Sequence, residues 1–245
     1  EVPHRDGTTD PDELQAAARG AACVLFQQPN FLGCLEPAPD LAAAAAEEGA
    51  LAVAHVDPVS LGVLEAPGAY GCSLAVGEGQ AAGNDQSYGG PHYGFLAARS
   101  EFIRRMPGRI SGETVDADGE RGFVLTLQTR EQHIRREKAT SNITTNQTLL
   151  AIAGLVHLSW LGPQGLRELG ETCLALSSYA KERLAEVGFE LAFPNKATFK
   201  EFAVRVGRPG KEAIASARRA GVHPGYALGR DYQGLDDVLL VAVTE

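Results

Sequence analysis

The residues best suited to chemistry form a basic segment followed by a polar run. Four cationic side chains fall within nine positions, namely Arg130, Arg135, Arg136 and Lys138. The run that follows is rich in hydroxyl and amide groups and includes Ser141, Asn142, Thr144 and Thr145. Guanidinium groups, hydroxyls and the free N–H groups at a helix start all bind anions, so the spacing favours a phosphate or carboxylate site. A solvated face whose charges pair with one another is the alternative.

A glycine-rich loop over residues 77–94 is the second candidate. Its first part, GEGQAAG, is similar to a dinucleotide-binding motif, but its spacing is GxGxxxG rather than GxGxxG, so a nucleotide site is disfavoured. Its second part contains the turn Tyr88, Gly89, Gly90, Pro91 and His92. Glycines let a ligand approach the backbone closely, so this turn is a candidate binding segment. A tight surface turn is the alternative.

One acidic residue, Asp57, stands directly after an apolar run that predicts a buried strand. Its carboxylate could hold a protonated ring nitrogen of a ligand, or it could cap the turn that begins at Pro58. Capping is the more common of these two roles. We predict no metal site, because metal-ligand spacing is missing among His55, His92, His133, His157 and His223.

Composition and charge narrow the class of protein. The net charge of −9 disfavours nucleic acid and anionic membranes as partners. Apolar runs stay below the roughly 18 consecutive residues that a membrane-spanning helix needs, and no signal peptide is recognisable. The cysteines lack CxxC spacing and are predicted to be reduced and mostly buried, as in a cytoplasmic protein; they are Cys23, Cys34, Cys72 and Cys173.

The first part of the chain alternates between two kinds of element. Apolar runs predict strands at residues 21–27, 50–56, 73–76 and 95–99, of which the first two are expected to be buried. Helices capped by Asp10 and by Pro39-Asp40 precede the first and the second of these strands. This alternation favours a mostly parallel sheet covered by helices. Because ligands bind beyond the carboxyl ends of such strands, residues 29–31, Asp57 and the glycine-rich loop are expected to lie together.

The pattern changes after residue 110. Residues 121–132 alternate between apolar and polar, which predicts a strand or an extended arm. A helix then runs to Gly162-Pro163, and a strand–helix–strand pattern over residues 201–243 predicts a small lobe with its own sheet. Between them a second helix carries an approximate apolar stripe made of Leu166, Leu169, Leu174, Leu176, Leu184 and Val187.

Four segments together resemble one family. They are PNFLG at 29–33, GGPHYGFLA at 89–97, the segment 106–146 with REQHIRREKATSNI, and LGPQGLREL at 161–169. All are similar to the glycine cleavage system P-protein, specifically to subunit 1 (alpha) in organisms that divide this enzyme into two chains. The resemblance implies an α/β pyridoxal-phosphate-dependent transferase of the aspartate aminotransferase type (fold type I), with a mostly parallel sheet in its large domain and a smaller α/β C-terminal lobe.

The resemblance also implies the domain organisation. Residues 1–145 would be the C-terminal part of the large domain, without its N-terminal part. Residues 146–245 would comprise linking helices and the small C-terminal domain, without its last helix. The sequence opens at Glu1 rather than at a methionine, and we expect it to be a fragment of a longer protein.

The activity that the resemblance implies is that of glycine dehydrogenase (aminomethyl-transferring, decarboxylating). Glycine would be decarboxylated with pyridoxal phosphate, and its aminomethyl group would pass to the lipoyl arm of H-protein. The chain would act with subunit 2 in an alpha2beta2 heterotetramer of the cytoplasm. A non-catalytic scaffold or docking subunit of the same complex is the alternative, and a stand-alone pyridoxal-phosphate enzyme is a third interpretation.

The resemblance implies no catalytic residue in this chain. Aligning the glycine-proline turns places Gln80, within one residue, where the family's other subunit has the lysine that binds the cofactor. The first lysine of the sequence is Lys138, so a shifted alignment supplies none. Pyridoxal phosphate would therefore be bound covalently by the partner, and this chain would contribute contacts to the partner's site. The candidates are Tyr88, Gly89, Gly90, Pro91, His92, Arg130, Arg135, Arg136, Ser141, Asn142, Thr144 and Thr145.

Overall fold

The computed structural model describes residues 1–88, 90–127, 131–139 and 146–245. A short hairpin of strands β1 (His4–Arg5) and β2 (Thr8–Thr9) precedes helix α1 (Pro11–Ala18). Asp10 caps this helix as predicted, because its Oδ1 accepts hydrogen bonds from the backbone N–H groups of Asp12 at 2.9 Å and Glu13 at 3.2 Å. The cap satisfies donors that have no partner within the helix.

A four-stranded sheet forms the centre of the first part. Its elements are strand β3 (Cys23–Gln28), helix α2 (Ala38–Glu47), and strands β4 (Leu51–Val56), β5 (Leu74–Glu78) and β6 (Gly94–Ala98). The strand order is β3-β4-β5-β6, with the first three strands parallel and β6 antiparallel to β5. The predicted mostly parallel sheet is confirmed. The predicted cap of α2 is wrong, since the helix begins at Ala38 after Pro37 without a side-chain cap.

The main core lies between this sheet and α2. Leu41, Ala42 and Ala45 of the helix pack with Ala52 and Ala54 of β4, and these side chains are almost fully buried. Small side chains let the helix approach the sheet closely. One expectation fails at the sheet edge: β3 was predicted to be buried, but Leu25 is 64% exposed. Within the described residues, β3 pairs on one side alone, with β4.

The next elements form an exposed arm. Strands β7 (Ile110–Val115) and β8 (Arg121–Thr126) pair as an antiparallel hairpin, so the predicted strand at 121–132 gains a partner that the sequence pattern did not reveal. The short helix α3 (Gln132–Arg135) follows. An ion pair of 3.0 Å between Arg109 Nε and Glu131 Oε1 joins the two ends of this arm.

Helix α4 (Thr148–Glu186) is long and interrupted. Gly162 has φ 63° and ψ −177°, and Pro163 follows it, so the predicted division into two helices is confirmed. The predicted apolar stripe of the second helix is confirmed in part: Leu166, Leu169 and Leu184 are half-buried, whereas Leu174, Leu176 and Val187 are exposed. Its buried face is formed by Gly170, Cys173 and Ser177, because small residues at this spacing allow close packing against neighbouring segments.

A second sheet completes the chain. It comprises β9 (Glu190–Leu191), β10 (Glu201–Arg205), β11 (Tyr226–Ala227) and β12 (Val238–Ala242) in the antiparallel order β11-β12-β10-β9, with helix α5 (Gly210–Arg219) packed beside it. The predicted strand–helix–strand pattern is confirmed. Leu32 and Cys34 join this sheet's core with Phe193 and Leu228. The division of the chain at residue 145 stays a prediction.

Candidate functional site

A pocket opens at the carboxyl ends of β3, β4 and β5. The polar side chains that line it are Gln27, His55, Asp57, Glu78, Lys200 and Glu201. Pro29, Asp57 and Glu78 all line this pocket, which confirms that the turn after β3, the residue after β4 and the start of the glycine-rich loop lie together. The position follows from topology, because parallel strands end at the same edge of the sheet.

Asp57 is held within the chain at both carboxylate oxygens. Its Oδ1 accepts a hydrogen bond from the backbone N–H of Val59 at 2.9 Å, which confirms the predicted capping role. Its Oδ2 lies 2.6 Å from Nζ of Lys200, and the two side chains are only 21% and 17% exposed. The negative charge of Asp57 is therefore neutralised by a side chain that precedes β10.

Burial shifts the ionisation of two neighbours of this ion pair. Burial raises the pKa of the Glu201 carboxyl, an effect that Lys200 opposes and Asp57 reinforces. Burial also raises the pKa of the Cys173 thiol, which faces the carboxylate of Glu245. Both groups therefore favour their neutral forms more than they would in water.

The glycine-rich loop packs against an aromatic ring. A Cβ atom at Gly79 would overlap the ring of Tyr93, and one at Gly154 of α4 would overlap the Tyr93 hydroxyl. Tyr93 thus fills the space between the loop and the helix, and burial raises the pKa of its hydroxyl. At these two positions glycine permits the close approach of a side chain of the same chain.

Gln80 is engaged inside this loop. Its backbone N–H donates to Oε1 of Glu78 at 3.0 Å, and its side-chain Nε2 donates to the carbonyl of Asn84 at 2.6 Å. Asn84 in turn donates from Nδ2 to the carbonyl of Leu150 at 3.4 Å, which connects the loop to α4. The amide of Gln80 therefore stabilises the loop, and it has no amine with which to bind a cofactor covalently.

The turn at residues 88–92 lies on the surface beside the loop. Tyr88 is 94% exposed with φ 48°, and the Gly90 N–H donates to the carbonyl of Ser87 at 2.9 Å. His92 Nδ1 lies 3.5 Å from Oε1 of Glu78. Its Nε2 is buried and has no hydrogen-bond partner within the part of the chain that the structure describes. Gly89 lies outside the described residues.

The basic segment lies elsewhere, after the hairpin arm. Arg135 and Arg136 are exposed at the end of α3, and Arg136 has φ 51°, in the left-handed region. Across residues 1–88, 90–127, 131–139 and 146–245, no hydrogen bond or ion pair joins them to the turn at 88–92. The other predicted contacts of this segment fall outside the described residues, namely Arg130, Ser141, Asn142, Thr144 and Thr145.

The pocket does not fit pyridoxal phosphate, the cofactor that the resemblance implies. The carboxylate that could hold a protonated ring nitrogen, Asp57, is already paired with Lys200. The position expected to carry the Schiff-base lysine holds Gln80, whose amide is not a usable nucleophile. Among the residues described, no group of three or more His, Cys, Asp and Glu side chains could hold a metal ion.

Comparison with known families decides the relationship. Residues 5–245 match the glycine cleavage system P-protein family. The chain belongs to this family. It is 46% identical over its whole length to a Moorella thermoacetica protein and 48% identical over 91% of its length to one from Chloroherpeton thalassium. Both relatives bear the name "Probable glycine dehydrogenase (decarboxylating) subunit 1", and the chain spans about half their length, 55% and 50%.

Solved structures agree with the P-protein relationship. The chain superposes on glycine decarboxylase (P-protein) of the glycine cleavage system, in its inhibitor-bound form, with a TM-score of 0.90 at 42% identity, covering all of this chain and 55% of that one. An aspartate aminotransferase from Thermus thermophilus matches 96% of this chain and 62% of its own length at 20% identity, with a TM-score of 0.61. The expected fold class, that of the pyridoxal-phosphate enzymes of fold type I, is confirmed.

Sequence reasoning missed two residues, Lys200 in the pocket and Tyr93 in the glycine-rich loop beside it. Lys200 is far from Asp57 along the chain, and one sequence contains no signal that joins them. Tyr93 did have a signal, since it lies in a loop whose several glycines can accept a ring. The residues expected to contact the partner's site stay predictions.

Proposed function

We propose that this chain is part of subunit 1 of glycine decarboxylase and works with a second subunit in decarboxylating glycine. The observation that carries the proposal is the match over residues 5–245 to the P-protein family, with relatives named as subunit 1. Pyridoxal phosphate, when bound in the complex, withdraws electrons from the bond that breaks. The aminomethyl group would then pass to the lipoyl arm of H-protein, and the complex would act in the cytoplasm as an alpha2beta2 assembly.

The pocket supports a proposal about which of the two subunits binds the cofactor. Gln80 is bonded to Asn84, and Asp57 is paired with Lys200, so neither is available to a cofactor. We therefore assign covalent binding of pyridoxal phosphate to subunit 2. Borohydride reduction of the complex followed by mass spectrometry should find the cofactor on a subunit 2 peptide. Cofactor attached to this chain would contradict the assignment.

The contribution of this chain to the partner's site is the finer part of the proposal. Tyr88 is exposed in a surface turn, and Arg135 and Arg136 are exposed at the end of α3, so all three can reach another subunit. Guanidinium groups suit a cofactor phosphate or a glycine carboxylate, because they form paired, charge-assisted hydrogen bonds with such anions. Gly90, Pro91 and His92 belong to the same proposed contact surface.

Helix α4 offers the surface that we assign to the partner subunit. Its first part carries an apolar stripe, here called the α4 stripe: Leu149, Ile152, Val156 and Trp160, which are 82%, 49%, 57% and 88% exposed. By length and composition α4 could cross a membrane. The break at Gly162 leaves roughly 21 Å of helix over residues 148–161, which is short of the roughly 30 Å hydrocarbon core.

A protein surface therefore fits the α4 stripe better than a bilayer does. Residues 148–166 contain no Asp, Glu, Lys or Arg. They follow the basic segment that we place near the partner's cofactor. We assign subunit 2 as the occupant because the stripe and that segment adjoin in sequence.

The test is the exchange of labelled bicarbonate into the carboxyl group of glycine. Subunit 2 and lipoylated H-protein are assayed with and without this chain. Exchange that requires the chain supports the proposal, whereas equal exchange by subunit 2 alone would show that the proposed function is wrong.

An Arg135→Ala variant separates a site role from a scaffold role. We expect a loss of exchange of roughly tenfold or more, since a charge-assisted hydrogen bond contributes about 1.5–3 kcal/mol. The complex itself should stay intact by sedimentation. The matched control is Arg219→Ala, an exposed arginine at the end of α5. Unchanged exchange with Arg135→Ala would favour the scaffold alternative.

A further inference from the structure

The ion pair between Asp57 and Lys200 is fixed from both sides by the backbone. Asp57 follows β4, and its carbonyl accepts hydrogen bonds from the N–H and the hydroxyl of Ser60 at 3.1 and 2.7 Å. The carbonyl of Lys200 accepts from the N–H of Val243 at 2.8 Å, which anchors it beside β12. The pair therefore joins the end of the first sheet to the second sheet.

The surrounding pocket has an excess of acidic groups. Asp57, Glu78 and Glu201 supply carboxylates, and Lys200 supplies the ammonium group among the described lining residues. His55 also lines the pocket, and its Nδ1 is buried without a hydrogen-bond partner within the described ranges. A pocket of this composition attracts a cation, because the carboxylate of Asp57, whose side chain is only 21% exposed, is costly unless it is paired.

We propose that this pocket can bind an amine beside Asp57 and that the ammonium group of Lys200 permanently occupies this amine position. The side chain of Lys200 takes the position at the strand ends where a cationic ligand would meet Asp57. It thereby excludes such a ligand and fixes the second sheet against the first. The ion pair lies within this chain and needs no partner subunit. A negative result for this inference would therefore not contradict the proposed function of the complex.

The proposal predicts chemical rescue. Lys200→Ala removes the atoms of a propylammonium ion and leaves the partly buried carboxylate of Asp57 without its partner. The melting temperature of the full chain should fall by roughly 5–10 °C, given the cost of an unpaired, partly buried charge in a chain of this size. Propylammonium chloride should then raise the melting temperature of the variant above its value in sodium chloride of equal concentration.

The matched control is Lys181→Ala. Nζ of Lys181 donates to the neutral hydroxyl of Thr198 at 2.8 Å, so its loss leaves no carboxylate unpaired. Propylammonium should stabilise neither this variant nor the wild type beyond the effect of sodium chloride. Equal stabilisation of all three proteins, or a Lys200→Ala variant that melts with the wild type, would overturn the proposal.

A second set of variants tests the pair without relying on Lys200→Ala being folded. Lys200→Met keeps the unbranched apolar part of the side chain without its charge, and Asp57→Asn keeps the shape of its partner. The double variant Asp57→Asn/Lys200→Met should melt closer to the wild type than Lys200→Met does, because it leaves no unpaired charge. A double variant whose loss equals the sum of the single losses would contradict the proposal.

Discussion

The pocket at the strand ends and the α4 stripe differ in whether their side chains have partners within the chain. In the pocket, both oxygens of Asp57 have partners within the chain. On α4, Leu149 and Trp160 are more than four-fifths exposed. Isolated apolar residues on a surface are common, but a contiguous stripe of this kind marks an interaction surface. The charge of Asp57 is therefore satisfied within the chain, whereas the α4 stripe is exposed and fits the partner contact proposed above.

The largest effect is expected from charges placed in the α4 stripe. Leu149→Glu combined with Trp160→Glu should abolish binding to subunit 2, because burying two unpaired carboxylates costs about 2–5 kcal/mol or more. Sedimentation of the mixed subunits measures the loss. The matched control is Tyr179→Glu, in the second part of α4, where Tyr179 is 61% exposed.

Trp160 also reports directly on what covers the stripe, because it is the chain's single tryptophan. Labelling this chain alone with 5-fluorotryptophan gives one fluorine resonance, which should shift when subunit 2 is added. A shift that depends on the concentration of the chain alone would indicate a second copy as the occupant. An unchanged resonance in an assembled complex would contradict the assignment and point to the portion of subunit 1 that this chain does not span.

A smaller effect, on the free energy of unfolding, is expected where the glycine-rich loop contacts helix α4. Gly79→Ala places a methyl group against the ring of Tyr93, and overpacking of this kind costs about 1–3 kcal/mol. Denaturant unfolding measures the change. Gly122→Ala is the control, since a Cβ atom there meets nothing within 4 Å. If Gly79→Ala unfolds like the wild type, the loop does not depend on this contact, and the completeness of the pocket region is in doubt.

Local patterns predicted the elements of this fold better than their packing. The apolar runs at 50–56 and 73–76 became β4 and β5, and Gly162-Pro163 divided α4, because these features act over a few residues. The leucines predicted the buried face of the second helix only in part: Leu169 packs against the core, whereas Leu174 and Leu176 are exposed. Close packing there is made by the small side chains of Gly170 and Ser177, and which face is buried depends on neighbours distant in sequence.

The residues of the site were also predictable only where local sequence or topology determines their position. The glycine-rich loop and Asp57 were correctly expected at one edge of the sheet, since topology fixes where strands end. The partner of Asp57 could not be predicted, because Lys200 reaches it only after the second sheet has packed against the first. Side chains that meet through tertiary packing leave no mark in the local pattern of one sequence.

The smallest expected effect concerns the pH dependence of stability at Glu201. Burial raises the pKa of this carboxyl, so the folded chain holds the proton more tightly than the unfolded chain does. Stability contributed by Glu201 is therefore present below the ordinary glutamate pKa and is lost as pH rises through the raised value.

Glu201→Gln removes this titration, because glutamine stays neutral at every pH. The variant should match the wild type in acid and exceed it slightly at neutral pH, by less than the loss expected for Gly79→Ala. Melting temperatures recorded across this pH range measure the difference, with Glu190→Gln on the exposed side of β9 as the control. A variant that is less stable than the wild type at neutral pH would instead show that Lys200 shares its charge with Glu201. The pocket would then pair two carboxylates with one lysine within the chain, whereas the apolar side chains of the α4 stripe stay exposed.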